Sequence, residues 1–332
     1  MHDQTTLGSP MRRRALALFV ALLSVTWAVL ALSGCSSGAT TTTSEATPTT
    51  EATATTTPAE DQAAFPVTVT DDNGVEVTVT ARPERIVSTA PANTEILFAL
   101  GAGDRVVGVT SLDDYPPEVA DIEKIGDFSP NTEAIIALEP DLVVGYSGNE
   151  EALQPLVDAG IPVLILNAAS IDGIYTDMTI VGNAIGEPKA AEDLIATVRV
   201  ELEGIANTAA ETGESPKVFY ALDDTLWTVG PGSFVDELIT LAGATNVAAN
   251  GPSPYFQYTP EELVAADPDA VILPMTVFST IDAFAADPRF AALRAVKEGR
   301  VYLVDDITVT RPGPRVTEGL TVLAKALHPD AF

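Results

Sequence analysis

Histidine and cysteine are almost absent from this 332-residue chain, represented only by His2, His328 and Cys35. A single cysteine excludes a disulfide within the chain. Sites for zinc, manganese or haem usually draw on histidine or cysteine. With His2 ahead of an apolar leader, Cys35 closing that leader and His328 near the end, no metal site and no resident cofactor are expected. Basic residues are scarce as well, 17 Lys and Arg against 47 Asp and Glu, for a net charge of −30. The first 64 residues hold three of the basic and five of the acidic side chains, which leaves 14 against 42 and a net charge of −28 for the remainder. Nucleic-acid binding rests on Lys and Arg neutralising phosphates, so a surface this acidic excludes that class of partner. The same acidity suits solubility outside a cell.

What is present begins with a secretory pattern. Arg12-Arg13-Arg14 forms a positive patch, Ala15–Ala31 is mostly apolar and uncharged, and Leu32-Ser33-Gly34-Cys35 ends the run with small residues. The last four residues resemble a bacterial lipobox, whose cysteine becomes the lipidated first residue of the mature protein. The apolar run is near the minimum length for crossing a bilayer. Cys35 directly after Ser33-Gly34 favours a lipid anchor at Cys35 over a spanning helix. Residues 1–35 are therefore read as a lipoprotein signal, and the location as extracytoplasmic, held to the outer face of the cell membrane. Residues 36–64 consist mostly of Thr, Ser, Ala, Pro and Glu. Such a segment buries too little apolar surface to offset chain entropy and reads as a disordered tether.

The remaining 268 or so residues suffice for two lobes with cores of their own. They are organised around a stretch spelled twice. Phe128–Val144 (FSPNTEAIIALEPDLVV) and Phe256–Ile272 (FQYTPEELVAADPDAVI) share Phe, Glu, Ala, Pro and Asp at a constant offset of 128. Each reads as an aromatic loop, a helix begun at Glu, a Pro-Asp break and a buried β-branched strand. Glu95-Ile96-Leu97 with Gly101-Ala102 is echoed by Glu237-Leu238-Ile239 with Gly243-Ala244 at offset 142. Duplicated α/β lobes follow as the leading architecture.

In chain order, Phe65–Thr80 alternates about Asp71-Asp72-Asn73-Gly74 as a hairpin. Arg85–Ser88 is a buried strand that delivers Thr89–Thr94 as a loop to a helix over Glu95–Leu100. Strands are expected at Val106–Thr110, Leu142–Val144, Ile161–Leu166, Val218–Ala221 and Arg300–Val304, with Trp227 in a loop between Asp223 and Gly232. From Ile171 to Thr212 the pattern is helical except at Gly186-Glu187-Pro188. Leu194, Val198, Leu202, Ile205 and Ala209 then keep an apolar stripe along a helix of about 30 Å, long enough to brace two lobes. The boundaries expected are 65–185 for the first lobe, 186–212 for the connecting helix and 213–332 for the second.

The run APANTEILFALGAGDRVVGVTSLDDYPPEV, then NTEAIIALEPDLVV, the central helix, TPEELVAADPDAVI and RPGPR resemble the substrate-binding proteins of ABC importers for iron–siderophore complexes and cobalamin, from about Phe65 to the end. The resemblance implies two Rossmann-like α/β lobes joined by a long backbone helix, the class III periplasmic-binding-protein fold. It also implies a ligand clamped between the lobes and delivery to a dimeric permease with its ATPase, by a monomer. The ligand expected is a cobalamin or a ferric siderophore, so that any metal arrives inside its chelator. The APANTE and DYPP stretches favour cobalamin, whereas Arg311 suits a carboxylate or a chelate oxygen on an anionic siderophore.

Large apolar chelates need aromatic walls and few polar anchors. The cleft candidates are Tyr115, Phe128, Tyr146 and Ser147 from the first lobe and Trp227, Tyr255, Phe256 and Arg311 from the second. Glu133 and Glu261, at equivalent positions in the first turns of equivalent helices, are candidates for docking to Arg residues on the two permease subunits. Their plainer role is to complement a helix N-terminus, worth about 0.3–1 kcal/mol each. A sensing or scavenging lipoprotein without its own importer would have the same cleft. An enzyme is the rival class, because Gly145-Tyr146-Ser147-Gly148-Asn149 follows a strand and partly mimics a nucleophile elbow with His328 downstream. Its glycine spacing is wrong, and Gly101-Ala102-Gly103 follows a helix instead of a strand, so neither catalysis nor a dinucleotide loop is expected.

Overall fold

The structure is a computed structural model that describes residues 64–332; the signal, Cys35 and the tether up to residue 63 lie outside the described residues. The first lobe contains β1 (Val67–Thr70), β2 (Glu76–Val79), β3 (Ile86–Ser88), α1 (Pro91–Ala99), β4 (Val106–Val109), β5 (Glu123–Lys124), α2 (Thr132–Ala137), β6 (Leu142–Tyr146), α3 (Glu150–Asp158), β7 (Val163–Leu166) and α4 (Ile171–Ile185). Helix α5 (Pro188–Glu211) leads to β8 (Lys217–Tyr220), β9 (Trp227–Val229), α6 (Phe234–Leu241), β10 (Thr245–Asn246), β11 (Tyr255–Gln257), α7 (Pro260–Ala266) and β12 (Ala270–Pro274). The chain closes with α8 (Asp282–Ala285), α9 (Arg294–Lys297), β13 (Val301–Val304), α10 (Asp306–Thr310) and α11 (Val316–Leu327).

Two separate parallel sheets result, ordered β5-β4-β3-β6-β7 and β10-β8-β12-β13. Strands such as β7 (VLIL) and β12 (AVILP) are buried along their whole length, as strands covered by helices on both faces must be. The two copies of the repeated phrase supply α2–β6 and α7–β12, and β6 and β12 hold the same place in the two sheet orders. The hairpin β1–β2 alternates buried and exposed residues instead. Its turn is set by Asp71, whose Oδ1 accepts from the amides of Asn73 (3.0 Å) and Val75 (2.8 Å).

Two local readings differ from the structure. Helix α1 begins at Pro91, not at Glu95, because Pro at N1 fixes a helical φ and loses no bond there. Most of Thr89–Thr94 is thus helix. Trp227 opens β9, which pairs antiparallel with β11 and moves that stretch out of the loop class.

Helix α4 stops at Gly186, whose φ of +82° is open to glycine at little cost, and Pro188 starts α5. At 1.5 Å per residue the 24 residues of α5 span about 36 Å. It packs on α4 from the first lobe and on α6 and α11 from the second. Val198 and Leu202 are buried in a core that runs continuously from β3 and α1 through α5 to β8 and α11. Burial of one such side chain contributes about 1.5–3 kcal/mol.

Arg105 fastens the α4–α5 junction from inside. Only 4 % exposed, it donates from Nη1 to the carbonyls of Pro83 (2.9 Å) and Ile185 (3.0 Å). Its Nη2 lies 3.5 Å from Glu187, which also pairs with Arg82 at 2.7 Å. Burial depresses the guanidinium pKa, but its bonds join the carbonyl at the end of α4 to that of Pro83, just ahead of β3. Arg105→Ala should cost about 2 kcal/mol by orphaning the two carbonyls. Urea unfolding of the variant measures it.

Candidate functional site

The carboxyl ends of the strands in both sheets face one cavity of about 490 Å³, the position at which open α/β sheets bind ligands. The first lobe contributes Thr89, Ala90, Pro91 and Ala92 after β3, Leu112 and Asp114 after β4, Asp127 and Phe128 before α2, and Tyr146 and Asn149 at the end of β6. The second lobe contributes Thr276 after β12 and Ile307, Thr310, Arg311 and Pro312 after β13. The volume falls in the range usual for small-molecule sites, roughly 300–1,000 Å³.

Side-chain hydrogen bonds hold these loops in place. Asn149, the N-cap of α3, donates to the Phe128 carbonyl (3.1 Å) and accepts from the Thr89 hydroxyl (3.3 Å), joining three loops of one wall. Buried Asn93 donates to the Gly145 carbonyl (2.8 Å) and so straps α1 to β6 beneath Tyr146. Thr94 Oγ1 and Ser88 Oγ lie 2.8 Å apart and tie α1 back to β3. On the other side, Asp306 accepts from both the amide (3.0 Å) and the hydroxyl (2.6 Å) of Thr276.

The charged part of the site crosses between the lobes. Arg311 Nη1 donates to Glu95 Oε1 and to Asp114 Oδ1, each at 2.7 Å. Arg315 Nη1 reaches the same Glu95 oxygen at 3.3 Å, and its guanidinium lies over the Tyr115 ring, 4.1 Å from the centroid. Glu95 is 3 % exposed and its Oε2 has no hydrogen-bond partner. Burial raises its carboxyl pKa despite the stabilising bond from Arg311. For Arg311, burial works against the cation, but the bonds to Asp114 and Glu95 outweigh it and hold the guanidinium pKa above its ordinary value.

Of the eight residues nominated for the cleft, Phe128, Tyr146 and Arg311 line this cavity. Phe128 is 81 % exposed at its mouth. Tyr255 is half-exposed, and its phenol pKa is raised by burial and by the neighbouring Tyr146 phenol, so the two tyrosines approach each other across the lobes. Tyr115 sits under Arg315, Trp227 is partly exposed on β9, and Ser147 is half-buried with its amide donating to Leu166. Phe256 is wedged against Gly230 and Gly251, where a Cβ would stand 2.7 and 2.0 Å from its ring, and packs on Tyr258. Half-buried by these contacts, it differs from Phe128, which stands exposed at the matching position. Thr89, Asp114, Asp127, Asn149, Thr276 and Thr310 were missed, being small polar residues rather than aromatics. Their shared signal is position, since each follows a predicted strand or precedes a repeated helix. His328 is buried, with Nε2 2.9 Å from the Ala242 carbonyl and Nδ1 3.5 Å from Thr212, so its ring is engaged away from Ser147.

Glu133 and Glu261 both occupy the second position of their helices and are exposed. Other residues cap those helices: Asn131 accepts from the Ala134 amide, and Thr259 forms a reciprocal capping box with Glu262. Neither Glu133 nor Glu261 forms a hydrogen bond or ion pair within the described residues.

Two α/β lobes, a bracing helix and a cleft between the sheet edges define a solute-binding protein. The chain belongs to the periplasmic binding protein family, whose model matches residues 86–308. It is 39% identical over 279 residues to an uncharacterized ABC transporter substrate-binding lipoprotein of Bacillus subtilis, covering 81% of this chain and 87% of that one. It is 32% identical over 282 residues to a cobalamin-binding protein of Halobacterium salinarum, covering 81% and 76%. Among solved structures it matches a periplasmic haem-binding protein of Roseiflexus sp. RS-1 with a TM-score of 0.68 and 32% identity, over 75% of this chain and 99% of that one. The fold is that of the class III periplasmic binding proteins.

Proposed function

We propose that this protein is the extracytoplasmic receptor of an ABC importer and that its cargo is a corrinoid of the cobalamin type. The cargo is held between lobes 65–185 and 213–332, with 186–212 as the brace, and delivered to a dimeric permease with its ATPase. The observation that carries this reading is the interlobe cavity. Its walls are mainly apolar, with Pro91, Leu112, Phe128, Tyr146, Ile307 and Pro312, and its one guanidinium is already engaged by two carboxylates. Such a site suits a large amide-rimmed macrocycle better than an anionic chelate, and the cobalamin-binding relative supports it. A bulky ligand would extend past the cavity to Tyr255 and the exposed Met275 and Val277. Anchoring through a lipid on Cys35 and action as a monomer complete the proposal, with no catalytic step. Glu133 and Glu261 are its permease-docking residues.

Titration of the purified protein with cyanocobalamin, hemin and a ferric trihydroxamate, followed by calorimetry and visible absorbance, tests the cargo. Cyanocobalamin is expected to bind with a dissociation constant of about 1 μM or below, and at least about tenfold tighter than the others. Preference for the trihydroxamate would sink the corrinoid reading. A second reading, haem, has one observation in its favour: Tyr146 places a phenol on the wall, and a tyrosine can ligate haem iron. A Soret shift abolished by Tyr146→Phe would establish it. A scavenger without an importer shares the cleft, and uptake by cells with and without the chain's own permease separates the two.

A further inference from the structure

Arg311 is the only basic side chain on the cavity wall among the described residues. A lone guanidinium in a cleft would ordinarily select anions by bidentate pairing. Here its Nη1 is shared between Glu95 and Asp114, both from the opposite lobe. Glu95 is buried and also receives Arg315, while Asp114 keeps its side chain half-exposed toward the cavity. Arg315 has a further partner in Glu318 at 3.1 Å. The two guanidiniums are therefore met by three carboxylates, and Asp127 adds another acidic group to the wall.

We propose that Glu95 and Asp114 act as a charge gate on Arg311, so that the cleft accepts neutral or cationic chelates and rejects anionic ones of the same shape. The inference rests on the cargo reading above only for its first probe. An incoming carboxylate would meet a cation whose charge is already matched. Both pairs run through Nη1, so the rest of the guanidinium can still be approached, but an anion there would either share Arg311 with Glu95 and Asp114 or displace Asp114 and leave its charge unpaired. Either way it gains little and meets repulsion from Asp114 and Asp127, which is discrimination by an unfavourable alternative. Glu95 provides the fixed half of the gate, since its burial between two guanidiniums holds Arg311 in place from below. Asp114 provides the exposed half that a ligand meets. Both are specificity-determining residues that position Arg311 and cancel its charge.

The test compares ligands of different charge, and the first pair differs in little else. Cyanocobalamin, which is neutral overall, is set against its monocarboxylate derivatives, in which one side-chain amide is hydrolysed. A neutral ferric trihydroxamate is set against an anionic ferric tricatecholate. The wild type is expected to favour the neutral member of each bound pair by about tenfold or more. Asp114→Asn, at a half-exposed position, should reduce that ratio about tenfold, and the isosteric Glu95→Gln should move it the same way. Asp114→Glu should restore it, which a purely structural role would not do. If cyanocobalamin fails to bind but the trihydroxamate binds with the same charge preference, the cargo reading falls and the gate stands. An unchanged ratio in both variants, tighter binding of the anionic member by the wild type, or binding of no probe at all overturns the gate.

Discussion

A Glu133→Ala/Glu261→Ala double variant should bind ligand as the parent does and yet lose at least about tenfold in uptake. Both carboxylates are exposed, sit at the second position of matching helices and lie outside the cleft. Their helices are capped without them, by Asn131 on one side and by Thr259 with Glu262 on the other. What remains for either acid at a helix start is a favourable dipole interaction of about 0.3–1 kcal/mol, visible as a small drop in melting temperature. A docking role predicts much more, because truncating one side of a desolvated charge pair costs about 2–5 kcal/mol per site. On the proposed docking, with one site for each permease subunit, each single variant should retain an intermediate rate. Uptake of labelled ligand into proteoliposomes carrying the chain's own transporter, beside a binding titration, separates the outcomes. Normal uptake by the double variant would remove the docking role and leave only the helix contribution.

The same pair shows how far a sequence can be followed. Because the repeat offset is constant, Glu133 and Glu261 can be matched from the sequence alone, and the parallel sheets place their helices in equivalent settings. The matching fails at Phe128 and Phe256. One stands 81 % exposed at the cavity mouth, and the other is wedged against Gly230 and Gly251. What separates them lies in the sequence around β9 and β11, a strand pair without a counterpart in the first lobe, which brings two glycines to one ring. Local spelling carries no record of that contact. The buried strands were legible because long β-branched runs have one use in an α/β protein. The polar residues of the cavity were not, because Thr89, Asn149 and Thr276 have ordinary identities and acquire a role only from the sheet edge they occupy.

Arg311 marks the same limit in charge. Read as a residue, it is an anion receptor. Read with Glu95 216 positions away and Asp114 197 away, it is a neutralised strut between lobes. Those two separations give the pairing its mechanical consequence, since each bond ties the loop after α10 to the first lobe beside the ligand cavity. Together with the continuous core through α5, they oppose relative lobe movement, which favours a largely preformed cleft. A preformed cleft loses less ordering entropy on binding.

Asp177→Asn should stabilise the protein by about 3 kcal/mol at pH 8 and by almost nothing at pH 4. Asp177 lies on α4, 3 % exposed, between Ile174 and Val181 in the core. Its carboxyl has one oxygen without a partner, meets the Ala168 amide and is within hydrogen-bonding reach of Asp72 in the hairpin turn. Asp72 is itself held by the Asn167 amide at 2.5 Å. Burial, then the bond and the charge of Asp72, push the Asp177 pKa up to about 9. An unfolded chain releases that proton near pH 3.9, about its ordinary value. Between those limits the folded state holds one proton more, so its stability falls as pH rises through the window, by up to about 1.4 kcal/mol per unit. Relaxation and water entry around the charged form reduce the realised cost to a few kcal/mol. Asparagine has no proton to lose. Its amide can donate to Asp72 and its carbonyl can accept from Ala168 at every pH, which keeps both bonds and removes the slope. Urea unfolding of parent and variant at pH 4, 6 and 8 should show curves that coincide in acid and diverge in base. A gain of equal size at all three would mean that Asp177 is ionised in the folded protein and that its bond to Asp72 runs through water instead.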